Sequence, residues 1–302
     1  MEDWERLATE HRNAASYALD TMGTEELLRL MNDEDAKVAP AVAAVIPAVA
    51  VAVEMAVEAL RAGGRLIYVG AGTSGRVGAL DAAECVPTFG VSPETVQAVI
   101  AGGEAALSSP IEEAEDRAEA GAADLAARAV GPGDLVVGIT ASGLTPYVLG
   151  ALRLAREAGA RTVLLTCNDC PEAADYADVV IAPVVGPEVL TGSTRLKAGT
   201  AQKMVLNMIS TATMVRLGKV YQNLMVDMKP TNKKLQARAV RIVQAATGCG
   251  EKEAAAALPA AGNEIKTAIV MIHKACDPAT ARKILAEVGG FVRRAIAGEG
   301  KP

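Results

Sequence analysis

Three short stretches of this 302-residue chain gather residues able to hold a small anion. In "GAGTSG", Gly70, Gly72 and Gly75 keep the G-x-G-x-x-G spacing of a nucleotide loop, with the hydroxyls of Thr73 and Ser74 inside it. "TASGLT" offers Thr140, Ser142 and Thr145 beside Gly143, and "LTGSTRLK" offers Thr191, Ser193, Thr194, Arg195 and Lys197. Each stretch follows an apolar run and precedes a helical pattern. At a helix start, unpaired N–H groups and the helix dipole favour an anion. One such loop would merely cap its own helix; three at one sheet edge point to a phosphate pocket. A dinucleotide site fits less well, because the second strand ends in Ala101-Gly102-Gly103 and Glu104 comes too late to bind a ribose.

Two glutamates carry the prospect of acid–base work. Val77, Leu80 and Glu84 share one face of the helix after the first loop, near an end expected at Pro87. A carboxylate against apolar neighbours at a helix C-terminus is disfavoured as an anion, which suits a proton donor. Ser109, Pro110 and Glu112 read as cap, first-turn proline and capping box of a helix running to Ala127. On it Ile111, Glu115, Ala118, Ala122 and Leu125 form a buried stripe, so Glu115 is the candidate base. Ordinary buried ion pairs would explain the same placement. Two carboxyls in different environments are how one site obtains both an acid and a base.

The elements that must position these residues are apolar runs at Leu66 to Val69, Val96 to Ala101, Leu135 to Ile139, Thr162 to Thr166 and Val179 to Val184, separated by helix-length segments such as Pro146 to Glu157. That alternation predicts an α/β fold: a doubly wound, mainly parallel five-stranded sheet covered on both faces, with ligands at the carboxyl ends of its strands. Residues 1–62 read as an N-terminal helical segment, 63–228 as the sheet domain that carries the phosphate loops and 229–302 as a small helical bundle of three or four helices. Gly248, Gly250, Pro259 and Asp277-Pro278 punctuate that bundle, and Thr200 to Leu217 is a long helix ahead of it.

A net charge of −6 argues against nonspecific nucleic-acid or membrane-surface binding, both of which need a positive field. The acidic N-terminus carries no readable secretory signal, so a cytoplasmic location is expected. Val38 to Val53 has sixteen residues without a charge, but Pro40 and Pro47 break it and a buried helix is expected rather than a membrane span. Cys167 and Cys170 form a lone C-x-x-C, and His11 and His273 lie near opposite ends of the chain, so no metal or redox cofactor is expected.

The chain resembles the N-acetylmuramic acid 6-phosphate etherases, whose core is a sugar isomerase (SIS) domain of flavodoxin-like type. The resemblance rests on "TEHRNAAS", "LMNDED", "LIYVGAGTSGRVGALDAAEC", "IAGGEAAL", "EEAEDRAEAG", "VVGITASG" with "TPYV", and a block from "VGPEVLTGSTRLKAGTAQK" to "NLMVDM". It implies cleavage of the ether between D-lactate and C3 of the amino sugar, by elimination from the open-chain aldehyde and then addition of water. It places the catalytic pair on Glu84, the acid, and Glu115, the base. The phosphate would sit among Thr73, Ser74, Ser142, Thr145, Ser193 and Thr194, with Gly72, Gly75 and Gly143 in the cradle and Lys197 adding charge. A homodimer with the site close to the partner subunit is also implied. The sequence departs from the family pattern at Leu144, where an arginine is usual, at Val86 and in "CNDCPEA". A non-catalytic sugar-phosphate regulator is the alternative that the fold allows.

Overall fold

The computed structural model describes residues 6–170 and 175–298, so Pro171 to Ala173 of "CNDCPEA" lie outside it. By internal contacts the chain forms two compact units, one made of the chain up to Ala83 with Pro93–Ser210, the other of Glu84–Ser92 with the chain from Thr211 onward.

The first unit is built on β1 (Leu66–Gly70), β2 (Val96–Ile100), β3 (Leu135–Ile139), β4 (Arg161–Leu165) and β5 (Val179–Ile181), all parallel in the order β2-β1-β3-β4-β5. Every residue of β1 and β3 is buried, as continuous apolar runs in a doubly covered sheet require. The register is flush: Gly70 pairs with Ile100 and with Ile139, Ile139 with Leu165, and Leu165 with Ile181. The loops that follow the strands therefore leave from one edge, the sheet's carboxyl edge.

Ahead of the sheet come α1 (Thr24–Asp35), α2 (Val38–Ala44) and α3 (Ile46–Arg61). The uncharged run Val38 to Val53 is thus two helices broken at Val45, and only one face of it is buried, through Val38, Val42, Val49, Ala52 and Val53. Ile46 and Val51 are about half exposed, so the buried helix expected there is two helices buried along one side. Among the described residues no single helix is long and apolar enough to cross a membrane.

The helix expected over Pro110 to Ala127 is interrupted. A 3-10 turn covers Glu112–Ala114, and α5 begins only at Ala118, running to Ala126. The physical reason lies in the partner of Glu115: its carbonyl accepts the Tyr147 N–H at 3.0 Å, from the first turn of α6 (Pro146–Glu157). Helices α5 and α6 approach so closely that a Cβ on Gly121 would lie 1.9 Å from the Tyr147 carbonyl oxygen, and one on Gly150 2.1 Å from that of Ala118. Gly121→Ala is therefore expected to cost at least the 1–3 kcal/mol of an overpacked contact, since backbone cannot swing aside as a side chain can. A urea melt matching that of the unaltered chain would disprove so tight a crossing.

Helix α4 (Gly72–Phe89) follows β1, and α7 (Lys197–Arg216) follows the last loop of the sheet unit. Pro87 lies inside α4, which continues past it to stop at Gly90, where φ is +64°. In the second unit, α8 (Lys233–Thr247), α9 (Glu251–Ala260), α10 (Ile265–Lys274), α11 (Pro278–Glu287) and α12 (Val292–Ala297) enclose a core that includes Ile242, Val243, Leu258, Ile269 and Val292. Five helices among the described residues replace the three or four expected. The punctuation acts where the sequence put it: Gly248 closes α8 at φ +77°, and the Asp277 side chain caps α11 ahead of Pro278.

Candidate active site

The turn after β1 is dictated by close backbone approach. A Cβ on Gly70 would lie 2.7 Å from the Gly75 nitrogen, and one on Gly75 2.8 Å from the Gly70 oxygen; Gly72 takes φ +53°. Ser74, 8% exposed, donates its hydroxyl to Gln202 Oε1 at 2.9 Å. A Cβ on Gly199 would stand 3.2 Å from Thr73 Cγ2. The hydroxyl loop at the start of α4 therefore adjoins the first turns of α7.

After β3 the hydroxyls form a cluster. Thr140 Oγ1 lies 2.7 Å from Thr145 Oγ1 and 3.2 Å from Ser142 Oγ, and it accepts the Gly143 N–H at 3.2 Å. Ser142 Oγ in turn accepts the Leu144 N–H. Gly143, at φ +87°, admits no side chain, because a Cβ there would fall 2.7 Å from Cys170 Sγ. Thr145 precedes α6 without capping it, so its hydroxyl serves the cluster instead. The Leu144 side chain is partly buried against the sheet core. Cys170 donates to the Ser142 carbonyl and Cys167 to that of Ala198; burial pushes both thiols up, so they are packing groups rather than nucleophiles.

The third loop corrects the sequence reading. Lys197 is 2% exposed, and its Nζ lies 2.6 Å from Oε2 of Glu34, itself 3% exposed, so Lys197 has a buried carboxylate partner rather than an open position for a phosphate. Burial alone would raise the Glu34 carboxyl, but hydrogen bonds and charge from Lys197 and Lys37 outweigh it and hold the carboxyl below its usual range. The amides that open α7 are also taken. Buried Glu188 accepts the Lys197 N–H at 3.0 Å and the Ala198 N–H at 2.9 Å. Sequence analysis missed Glu188 because it precedes the helix by nine residues, outside any capping spacing. Ser193 and Thr194 stay half-buried in the turn before α7, with the Thr194 carbonyl accepting the Gly199 N–H at 2.9 Å. Of the three helix starts read as anion sites, the one at α7 already holds its own carboxylate.

The glutamates lie elsewhere than expected. The buried stripe of α4 is Gly78, Asp81, Ala82 and Cys85, whereas Leu80 is 53% exposed and Glu84 is exposed. Asp81 is tolerated inside because three donors meet it: Tyr68 Oη at 2.8 Å, Asn207 Nδ2 at 2.6 Å and Ser210 Oγ at 3.0 Å. A buried carboxylate on one face and an exposed leucine on the other turned the hydropathy argument round, and with it the burial expected for Glu84. Glu115 is likewise exposed, outside the helix, and anchored through its carbonyl to the start of α6, beside Thr145.

A protein of Rubrobacter xylanophilus named N-acetylmuramic acid 6-phosphate etherase is 59% identical over 295 residues, covering 98% of this chain and 97% of its own. The chain belongs to the N-acetylmuramic acid 6-phosphate etherase family. Members from Cutibacterium acnes and Pectobacterium atrosepticum are 56% and 54% identical, each across at least 95% of both chains. Within the family's span, residues 107–212 match the SIS domain, 48–156 the N-terminal SIS domain of glucokinase regulatory protein, and 222–267 that protein's C-terminal lid domain. The sheet fold recurs in a Bacteroides fragilis protein assigned as a phosphosugar isomerase, 24% identical, with a TM-score of 0.51 over 67% of this chain and 95% of its own.

Proposed function

We propose that this chain carries out its family's reaction, release of D-lactate from N-acetylmuramic acid 6-phosphate, by elimination followed by hydration. Membership of the family across nearly the whole chain carries the reading. With the sugar ring open, the C1 aldehyde acidifies the C2 proton. Glu115 takes that proton, the C3–O bond breaks with its electron pair leaving on lactate, and Glu84 protonates the departing oxygen. Water then adds at C3 of the unsaturated aldehyde and a proton returns to C2, giving N-acetylglucosamine 6-phosphate. The phosphate is held by Thr73 and Ser74 with the backbone at Gly72 and Gly75, and by Ser142, Gly143 and Thr145; Ser193 and Thr194 line the remaining side. The flush strand ends and the contact between Thr73 and Gly199 support this grouping.

We place the reaction in the cytoplasm and expect a homodimer, for which the half-exposed apolar residues Ile46 and Val51 on α3 are suitable contact surface.

The test is turnover in water enriched in oxygen-18, with mass spectrometry of both products. Unlabelled lactate and a label on the C3 oxygen of N-acetylglucosamine 6-phosphate are expected. Label in the lactate would instead place the break on the lactyl side. Saturable binding without any lactate would make the chain a sugar-phosphate sensor.

A further inference from the structure

Behind the GAGTSG loop stands a side chain that helix capping does not explain. Gln202 lies on α7 three residues beyond Gly199 and is 1% exposed. Its Oε1 accepts the Ser74 hydroxyl at 2.9 Å, while its Nε2 is buried and has no hydrogen-bond partner among the described residues. A buried donor left unpaired is costly, and native structures leave few of them.

The two ends of a side-chain amide have the same shape, so the group can be turned about its last torsion without disturbing its neighbours. Turned, Nε2 donates to Ser74 Oγ and Oε1 becomes the unpaired end. Each orientation satisfies one end and orphans the other. They differ in what they leave to Ser74, which has a single proton. In the orientation found here that proton is spent on Oε1, and Ser74 offers an anion only lone pairs. In the turned orientation Ser74 receives a hydrogen bond from Nε2, and its own O–H is released towards the loop whose first-turn amides suit a phosphate. The amides serve a dianion in both states, but only the second adds the Ser74 hydrogen bond, and such a difference is what shifts a population.

We infer that Gln202 is a positioning residue that decides whether Ser74 can donate to the substrate's phosphate, its amide turning as the phosphate binds. The inference rests on the reading of GAGTSG as a phosphate cradle. Gln202 acts through Ser74 and touches no reacting atom.

The test uses the full chain, with steady-state kinetics on the sugar phosphate and inorganic phosphate as competitive inhibitor. Gln202→Glu supplies a carboxylate that only accepts and so holds the Ser74 proton in the wrong direction. KM and the phosphate Ki are expected to rise together by at least tenfold, with kcat within about threefold of the unaltered chain. In a Ser74→Ala background the same substitution is expected to change Ki less than threefold, because the relay is already gone. Equal factors in the two backgrounds would mean simple charge repulsion or a structural role, and would overturn the inference. Gln202→Met, which neither donates nor accepts, frees the Ser74 proton; a Ki within threefold of the unaltered value supports the relay even if the glutamate variant fails to fold, and a tenfold rise refutes it. Should inorganic phosphate not compete in the unaltered chain, the cradle itself falls. Competition that Gln202→Glu leaves unchanged removes only the relay.

Discussion

Glu115→Gln is expected to slow D-lactate release by about 10²–10⁴-fold, the range in which a positioned general base contributes. The substitution keeps shape and removes the ability to take a proton. Because the Glu115 side chain is exposed and its carbonyl accepts the Tyr147 N–H at the start of α6, a contact that glutamine keeps, the fold should survive the change. Glu84→Gln is expected to lose lactate release to a similar extent, but the two variants part company in deuterium oxide. Without its base, Glu115→Gln should no longer exchange the C2 hydrogen of the substrate. Glu84→Gln should still exchange it, since proton removal precedes departure of the lactate oxygen. Exchange kept by Glu115→Gln and lost by Glu84→Gln would reverse the two roles, and near-normal lactate release in either variant would remove that residue from the reaction.

The largest stability effect is expected at Lys197. Lys197→Met leaves the Glu34 carboxylate, 3% exposed, with only the Lys37 ammonium, whose side chain is 61% exposed. Removing one partner of a buried pair costs about 3–5 kcal/mol, whereas replacing both by apolar groups of similar volume is often close to neutral. Lys197→Met with Glu34→Leu should therefore recover most of what the single variant loses in a urea melt. The pH dependence has a definite sign. A carboxyl held below its ordinary value of 4.5 contributes stability that is present above that pH and lost as pH falls through the lowered value. The gap between the unaltered chain and Lys197→Met should accordingly close on the acid side, where Glu34 takes up a proton. A phosphate ligand behaves otherwise: its loss raises KM at unchanged stability, and that result would restore the role first expected for this lysine.

Much of the scaffold was legible because its strands are buried on both faces, so their composition alone marks them. β1 to β5 lie within a residue or so of the expected runs, except that β5 stops at Ile181. The glycine loops were legible for a similar reason: close backbone approach at Gly70 and Gly75, and at Gly143 a φ of +87° against the Cys170 side chain, disfavour any other residue. What failed were inferences about faces and partners. Asp81 is buried and Leu80 exposed, so an argument from apolar spacing put Glu84 on the wrong side of α4. Lys197 finds its carboxylate 163 positions away, a distance no local spacing reports. The helix expected through Glu115 breaks because the first turn of α6 takes its carbonyl, and Gln202 gave no signal at all, since an unpaired amide is visible only in three dimensions.

For inhibitor chemistry, the carboxylate that Glu188 places at the start of α7 sets a rule of subtraction. A substrate mimic extended towards that helix end with a second phosphate or sulfonate would find both opening amides already engaged, by a side chain that is 0% exposed and cannot move aside. Added negative charge there earns repulsion instead of affinity. With the phosphate site proposed above, potency has to be sought at the sugar and lactyl end of the compound, a single anionic group being kept for the loops that begin α4 and α6.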